Sequence, residues 1–220
     1  MSAGPKPLEV DIVSDIVCPW CWVGLRYFLQ AKDYMPFAIT LNWHPYMLDP
    51  HVPQGGVPYS DYMKAKFGDG PSDKFKAMRA HLEEIGPQLG IDFQFSSIPM
   101  RPNTLNAHRV IRWASGQGLG TEMAEALFKA FFTDQRDVGD TAVLADLAGN
   151  VGLDKTLTAE LLSTERDKAE VSADITHFQT LGISGVPTFI YNRQYAVQGA
   201  QPAQHHANAL RQAVQNIAQT

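Results

Sequence analysis

The first run of apolar positions, Leu8 to Val17, reads Leu-Glu-Val-Asp-Ile-Val-Ser-Asp-Ile-Val, rich in β-branched residues with only partial alternation. That pattern predicts a largely buried strand. Cys18-Pro19 follows it, and proline is favoured at a first helical position, where its missing N–H is no loss, so a helix is predicted to open at Cys18. Cys21, Leu25, Phe28 and Leu29 recur at i, i+4, i+7 and i+8 and mark the face that packs on a sheet. A second strand is predicted over Phe37 to Trp43 or slightly beyond, and the handedness of β-α-β connections makes the two strands parallel. From Ser60 to about Leu181 the periodicity turns helical almost throughout. Asp73–Ile85, Asn103–Ala114, Thr121–Phe132 and Thr141–Val151 carry apolar residues three and four apart, and Thr164 with Asp167 reads as an acidic capping box opening a further helix. Pro187–Tyr191 and Tyr195–Gln198 read as short strands joined at Asn192-Arg193, a hairpin turn without the usual glycine, and Pro202 starts a last helix through Ile217. There is no internal repeat, low-complexity tract or linker, so the helical block reads as an insertion packed on one sheet.

The chain has 220 residues, 45% hydrophobic and 19% charged, a globular balance that excludes a disordered polypeptide. No apolar run approaches the ~18 residues of a spanning helix, so no membrane association is expected. A formal charge of -5 argues against nucleic acid, because counterion release needs clustered Lys and Arg. Met1 to Pro7 has one Lys and no apolar stretch, which predicts no secretory signal and makes the cytosol the default compartment. In that compartment a structural disulfide is not expected. The only two cysteines, Cys18 and Cys21, therefore call for chemistry or a metal.

The predicted helix start separates the two thiols. A helix N-terminus stabilises a thiolate through its unpaired N–H groups and dipole, so Cys18 is expected to have a lowered pKa and to sit exposed. Cys21 lies one turn inside and faces the core. Cys18 is then the sulfur that attacks or is attacked, and Cys21 the one that resolves the mixed disulfide. Zinc would need two further ligands from seven histidines, none of them in C-x-x-H or H-x3-H spacing, so no metal is expected. Asp15, three residues before Cys18, reads either as a proton relay to the thiols or as a residue that ends the strand and caps the helix. Trp20 and Trp22 read as an apolar rim for substrate or as packing residues. Lys64, Lys66, Lys74, Lys76 and Arg79 read as a solvated face, and His108 with Arg109 as a solvated or core-edge pair.

Cys18-Pro19-Trp20-Cys21 taken with Gly185-Val186-Pro187-Thr188-Phe189 resembles the thioredoxin superfamily, and within it the DsbA-like family in its FrnE branch. Ser14-Asp15, Trp22-Val23-Gly24, Asn103-Thr104 with Ala107-His108-Arg109, and Tyr195-Ala196-Val197 leading to Gly199-Ala200-Gln201-Pro202 extend the likeness over essentially the whole chain. The resemblance implies an α/β, thioredoxin-like fold with a large all-helical insertion: residues 1–60 and 182–220 form a discontinuous thioredoxin-like domain, and residues 61–181 the insertion. It implies a cis peptide before Pro187, which joins Cys18 and Cys21 in the catalytic set. Pro19, Trp20, Val186, Asn103, Ala200 and Gln201 are then candidate substrate contacts. Segments like Asn42-Trp43-His44-Pro45-Tyr46 often carry Arg where His44 stands, which removes any anion contact relatives make there.

The activity so implied is thiol–disulfide exchange with a disulfide- or thiol-bearing protein or a small thiol. No tightly bound cofactor is expected, with glutathione as a candidate co-substrate. Pro19-Trp20 lacks the His of strongly oxidising DsbA proteins, so the potential is expected below the roughly -120 mV of DsbA and nearer the roughly -200 to -270 mV of glutaredoxin and thioredoxin. Reductase or isomerase work in the cytosol is then as plausible as oxidation. The alternative is a glutathione-dependent isomerase or transferase, because 2-hydroxychromene-2-carboxylate isomerases and kappa-class transferases resemble the same scaffold. Those relatives usually carry Ser at the position of Cys18 and need no second thiol. On such a scaffold glutathione would set its backbone on Val186 and its carboxylate at the helix start near Ala200 and Gln201. A binding or chaperone module without redox activity is a third reading that no residue supports directly. The sequence leaves the oligomeric state open.

Overall fold

A computed structural model describes residues 7–68 and 73–217; the Met1–Lys6 stretch read for a leader lies outside them. The first strand, β1 (Leu8–Ser14), is followed by α1 (Pro19–Asp33) and by β2 (Ile39–Pro45), parallel to β1. The strand is shorter than its apolar run, because Ile16 and Val17 are buried in the turn that delivers Cys18 to the helix rather than in the ladder. The C-terminal hairpin, β5 (Thr188–Tyr191) and β6 (Tyr195–Gln198), completes a sheet of order β2-β1-β5-β6. Its turn holds Asn192 and Arg193 at φ 47 and 56, so Asn supplies the left-handed conformation usually given to glycine. The last helix, α9 (Ala203–Ile217), packs against α1.

Between β2 and β5 the chain is mostly helical: α2 (Tyr59–Phe67), α3 (Asp73–Ile85), α4 (Leu105–Ser115), α5 (Gly120–Phe132), α6 (Thr141–Val151), α7 (Lys155–Leu162) and α8 (Lys168–Thr180). A two-stranded antiparallel ribbon, β3 (Val57–Pro58) with β4 (Met100–Arg101), interrupts it and was not legible in the helical periodicity. The expected capping box does not form. Asp167 precedes α8 at φ 59 and makes no side-chain cap, because its carboxylate instead accepts the indole N–H of Trp113 at 2.8 Å. True side-chain caps occur at Asp140 and Asp154, which accept from Ala142 N–H and Leu157 N–H.

The helix α1 is buried on two sides, which is more than its four-residue stripe implies. Phe28 stacks on Phe189 of β5, 5.4 Å between rings, while Trp22 on the far side packs on Phe93, Phe128 and Phe132. One end of the helical block thus closes over α1, and Cys21, Trp22, Val23, Gly24 and Leu25 are all buried. On the opposite, sheet side Gly24 permits a close approach of the chain around β5: a Cβ there would lie 2.9 Å from Pro187 Cγ.

Beneath α9, His206 is fully buried, with Nδ1 2.5 Å from the Tyr191 hydroxyl and its ring edge-on to Phe189. Burial pushes its pKa down to about 4, against about 6.5 for an unfolded histidine. Between those values the unfolded chain binds a proton that the native state refuses, so stability rises with pH through this window and is lost as pH falls. We expect the wild type to lose up to about 3 kcal/mol from this group between pH 7 and pH 4. A His206→Gln variant should have a flatter urea-midpoint profile there; an unchanged slope would reject the assignment.

Candidate active site

Cys18 is the N-cap of α1, with Pro19 in the first turn and no side-chain cap on the helix end. Its backbone N–H donates to Asp15 C=O at 3.0 Å, and its own C=O accepts Cys21 N–H at 3.0 Å, which fixes the turn from strand to helix. Both cysteines are free thiols. Contrary to the exposed position expected for it, Cys18 is only 5% accessible, and Cys21 2%. The reason is tertiary: Val186 and the helical block wall in the helix start, leaving Cys18 on the floor of a groove rather than at an open end. Burial, reinforced by the neighbouring Cys18, pushes the Cys21 thiol well above its ordinary pKa, while Ser14 and the Asp15 backbone face it and pull the other way. Cys21 is therefore held protonated.

The peptide between Val186 and Pro187 is cis, and the Cys18 thiol points at the Val186 carbonyl oxygen across 3.7 Å, although 168 positions separate the two residues. The topology brings them together. Strands β1 and β5 are antiparallel, with Val13 opposite Thr188, so the C-terminal end of β1 that feeds Cys18 abuts the N-terminal end of β5 that Pro187 opens. Hydrogen bonds from Thr188 Oγ1 to Gly185 C=O and from Gly199 N–H to Pro187 C=O hold that loop.

The groove has a volume of about 510 Å³ and is lined by Cys18, Pro19, Trp20 and Val186 on one side and by residues of α2, α3 and β4 on the other. Trp20 thus stands at the rim, while Trp22 is core. Ala200 and Gln201 lie behind Pro187, at the entry to α9, and do not line the groove; the Ala200 Cα would be 3.4 Å from a Cβ on Gly24. Asn103 is occupied elsewhere, donating to Val52 C=O at 2.8 Å and accepting Leu105 N–H at 3.0 Å. Asp15 does not cap α1. Its Oδ2 accepts Leu48 N–H at 2.8 Å, and its Oδ1 lies 3.4 Å from His108 Nε2, which is closer to Tyr46 C=O at 2.9 Å. His108 and Arg109 are deeply buried, not solvated, because α8 and the turn before it cover α4. His44 sits beside Asp11 and against Phe178, away from the thiols, and together with Asn42 holds the Asp11 carboxylate below its ordinary pKa despite burial. Among the described residues, no group of three or more His, Cys, Asp or Glu is placed to hold a metal, and no helix is long and apolar enough to cross a membrane.

The opposite wall was missed in the sequence. Tyr62, Met63, Lys66, Phe75, Met78 and Arg79 face Cys18 across the groove. Lys66, Lys74 and Arg79 belong to the stretch read as solvated; the two lysines are exposed as expected, yet all three line the groove. The signal that could have placed them there is an apolar residue four positions from each cation, Tyr62 with Lys66, Lys74 with Met78 and Phe75 with Arg79. Arg101 gave no signal. It is 6% accessible, donates to Val17 C=O at 3.3 Å, pairs with Asp49 and lies over the Tyr62 ring at 4.8 Å. Burial alone would raise Asp49, but Tyr62, Arg101 and Lys66 together hold it below the ordinary carboxylate value.

Residues 9–211 match the model of the DSBA-like thioredoxin domain. A probable DsbA oxidoreductase from Streptomyces coelicolor is similar at 31% identity and TM-score 0.85, with 94% of this chain and 90% of that one covered. A 2-hydroxychromene-2-carboxylate isomerase (TM-score 0.71, 16% identity, 96% and 99% covered) shares the fold. So does the cytosolic disulfide reductase DsbM of Pseudomonas aeruginosa, solved with GSH (0.65, 17%, 96% and 98%).

Proposed function

The chain belongs to the DSBA-like thioredoxin domain family, and from that premise we propose that it is a thiol–disulfide oxidoreductase working through Cys18 and Cys21. The observation that carries the reading is the asymmetry of the pair: Cys18 on the groove floor beside Val186, Cys21 buried one turn behind it and held protonated. The Cys18 thiolate attacks a substrate disulfide; a Cys18–substrate S–S bond forms as the substrate S–S bond breaks, and the departing sulfur takes up a proton. Cys21 then gives up its proton and attacks the Cys18 sulfur, expelling the second substrate thiolate. The substrate gains two electrons and the pair becomes a disulfide. Run backwards, the same steps oxidise a dithiol. Asp15, a buried carboxylate three residues ahead of Cys18 whose Oδ1 accepts no hydrogen bond among the described residues, is the group we assign to that proton transfer.

Without His between the cysteines, the direction we propose is reduction or isomerisation, in the cytosol, with glutathione as the thiol that returns the pair to its reduced form. The likeness to the isomerase is one of fold, and the presence of the second thiol favours exchange over glutathione-dependent isomerisation or transfer. Cys21→Ser separates these readings. Challenged with a disulfide peptide, it should accumulate a stable adduct on Cys18, seen as an intact-mass increase that dithiothreitol removes. No adduct under conditions where wild-type protein is oxidised would reject the two-thiol mechanism.

A further inference from the structure

We propose that the wall of the groove opposite Cys18 is an anion-recognising subsite, which selects acidic polypeptide segments flanking the reacting cysteine. The proposal rests on the oxidoreductase reading and names its substrate class. Four cations line the groove, Lys66, Lys74, Arg79 and Arg101, and among the described residues that line it there is no Asp or Glu. Asp49 answers Lys66 and Arg101 together, and Glu83 answers Arg79 at 3.0 Å, but both carboxylates lie outside the lining. The cations are therefore only partly neutralised, and from the cleft they present one sign of charge.

The contrast with the rest of the molecule makes this selective. The chain as a whole carries -5, so the cationic groove is a local reversal, and a concave site with apolar walls focuses its field. Between the cations stand Met63, Phe75 and Met78, and Arg79 lies over Phe95 at 5.3 Å. This alternation of apolar surface and positive charge fits a segment that alternates apolar and acidic side chains. The volume of about 510 Å³ accepts a cysteine and a few neighbouring side chains. A basic segment would meet like charge in the cleft, so the groove rejects as well as attracts. The Lys66 and Arg101 positions are fixed by Asp49 and Tyr62, with Lys66 Nζ 3.1 Å from Asp49 and 2.5 Å from the Tyr62 hydroxyl, so part of the charge is held in place before any ligand arrives.

Two matched peptides test it, identical but for Glu or Lys at the residues flanking one cysteine. Binding to a Cys18→Ser/Cys21→Ser protein, read by fluorescence anisotropy, needs no redox chemistry. The Glu peptide should bind about tenfold tighter at low ionic strength, and the difference should shrink towards ~1 M salt. In a Lys74→Glu/Arg79→Glu background the preference should reverse, a ratio that a folding defect cannot produce. Equal binding of the two peptides, or a preference unmoved by the charge reversal, overturns the subsite. Exchange kinetics of the wild type with disulfide forms of the same peptides give the second arm, with the same tenfold ratio expected in kcat/KM. Charge-selective binding with no exchange of either peptide would sustain the subsite and overturn the oxidoreductase reading; exchange of both at equal rates would do the reverse.

Discussion

Cys18→Ser is expected to abolish insulin reduction with a thiol donor, lowering the rate by about 10³-fold or more. A serine hydroxyl stays protonated at neutral pH and its oxygen cannot form a mixed disulfide, so neither the first bond of the cycle nor the electrophile for Cys21 exists. Nothing else on the groove floor replaces it, because Cys21 is buried behind Cys18 and its thiol is held protonated. The substitution is nearly isosteric, and a serine hydroxyl can still point at the Val186 carbonyl that the thiol faces at 3.7 Å, so the fold should persist. Turnover at the wild-type rate, with an unchanged unfolding midpoint, would end the proposal that exchange runs through this sulfur.

The second large effect is on stability. Arg109→Met is expected to cost about 3–5 kcal/mol, read as a lower urea midpoint with an unchanged slope. Arg109 is fully buried and, among the described residues, its guanidinium meets no carboxylate oxygen within ion-pair distance. It donates instead to the carbonyls of Arg166, Leu161 and Thr164 at 2.8–2.9 Å, and to the Asn106 side chain at 2.8 Å. Those carbonyls belong to the end of α7 and the turn after it, where helical geometry leaves acceptors unpaired. One side chain on α4 thus supplies the C-terminal cap of another helix and ties α4 to the turn before α8. Methionine fills the volume but takes the guanidinium donor from the Arg166 and Thr164 carbonyls and from the Asn106 side chain, each lost bond worth about 1–3 kcal/mol where water does not replace it. A loss below about 1 kcal/mol would mean that water satisfies those carbonyls and that the tie is not structural.

Much of this molecule follows from local sequence. The β-branched run before Cys18-Pro19, the period of α3 and α6, and the hairpin around Asn192-Arg193 are set by side-chain alternation, turn chemistry and the fixed φ of proline, all of which act within a few residues. The pairing of Cys18 with Cys21 and their inequality along one helix turn are legible for the same reason. Capping was less so: Thr164 and Asp167 form a plausible box, yet Trp113, more than fifty positions away, takes the carboxylate. What only the tertiary structure decided is everything set by contacts across the chain. The antiparallel register of β1 and β5 puts Val186 on Cys18, and closure of the helical block turns an open helix end into a groove floor. The same closure buries Arg109 and brings Lys66, Arg79 and Arg101 to face a thiol that neither periodicity nor composition associates with them. A sequence records which residues want burial or a partner; which partner each one finds depends on how distant elements pack, and the site's charge and access were settled there.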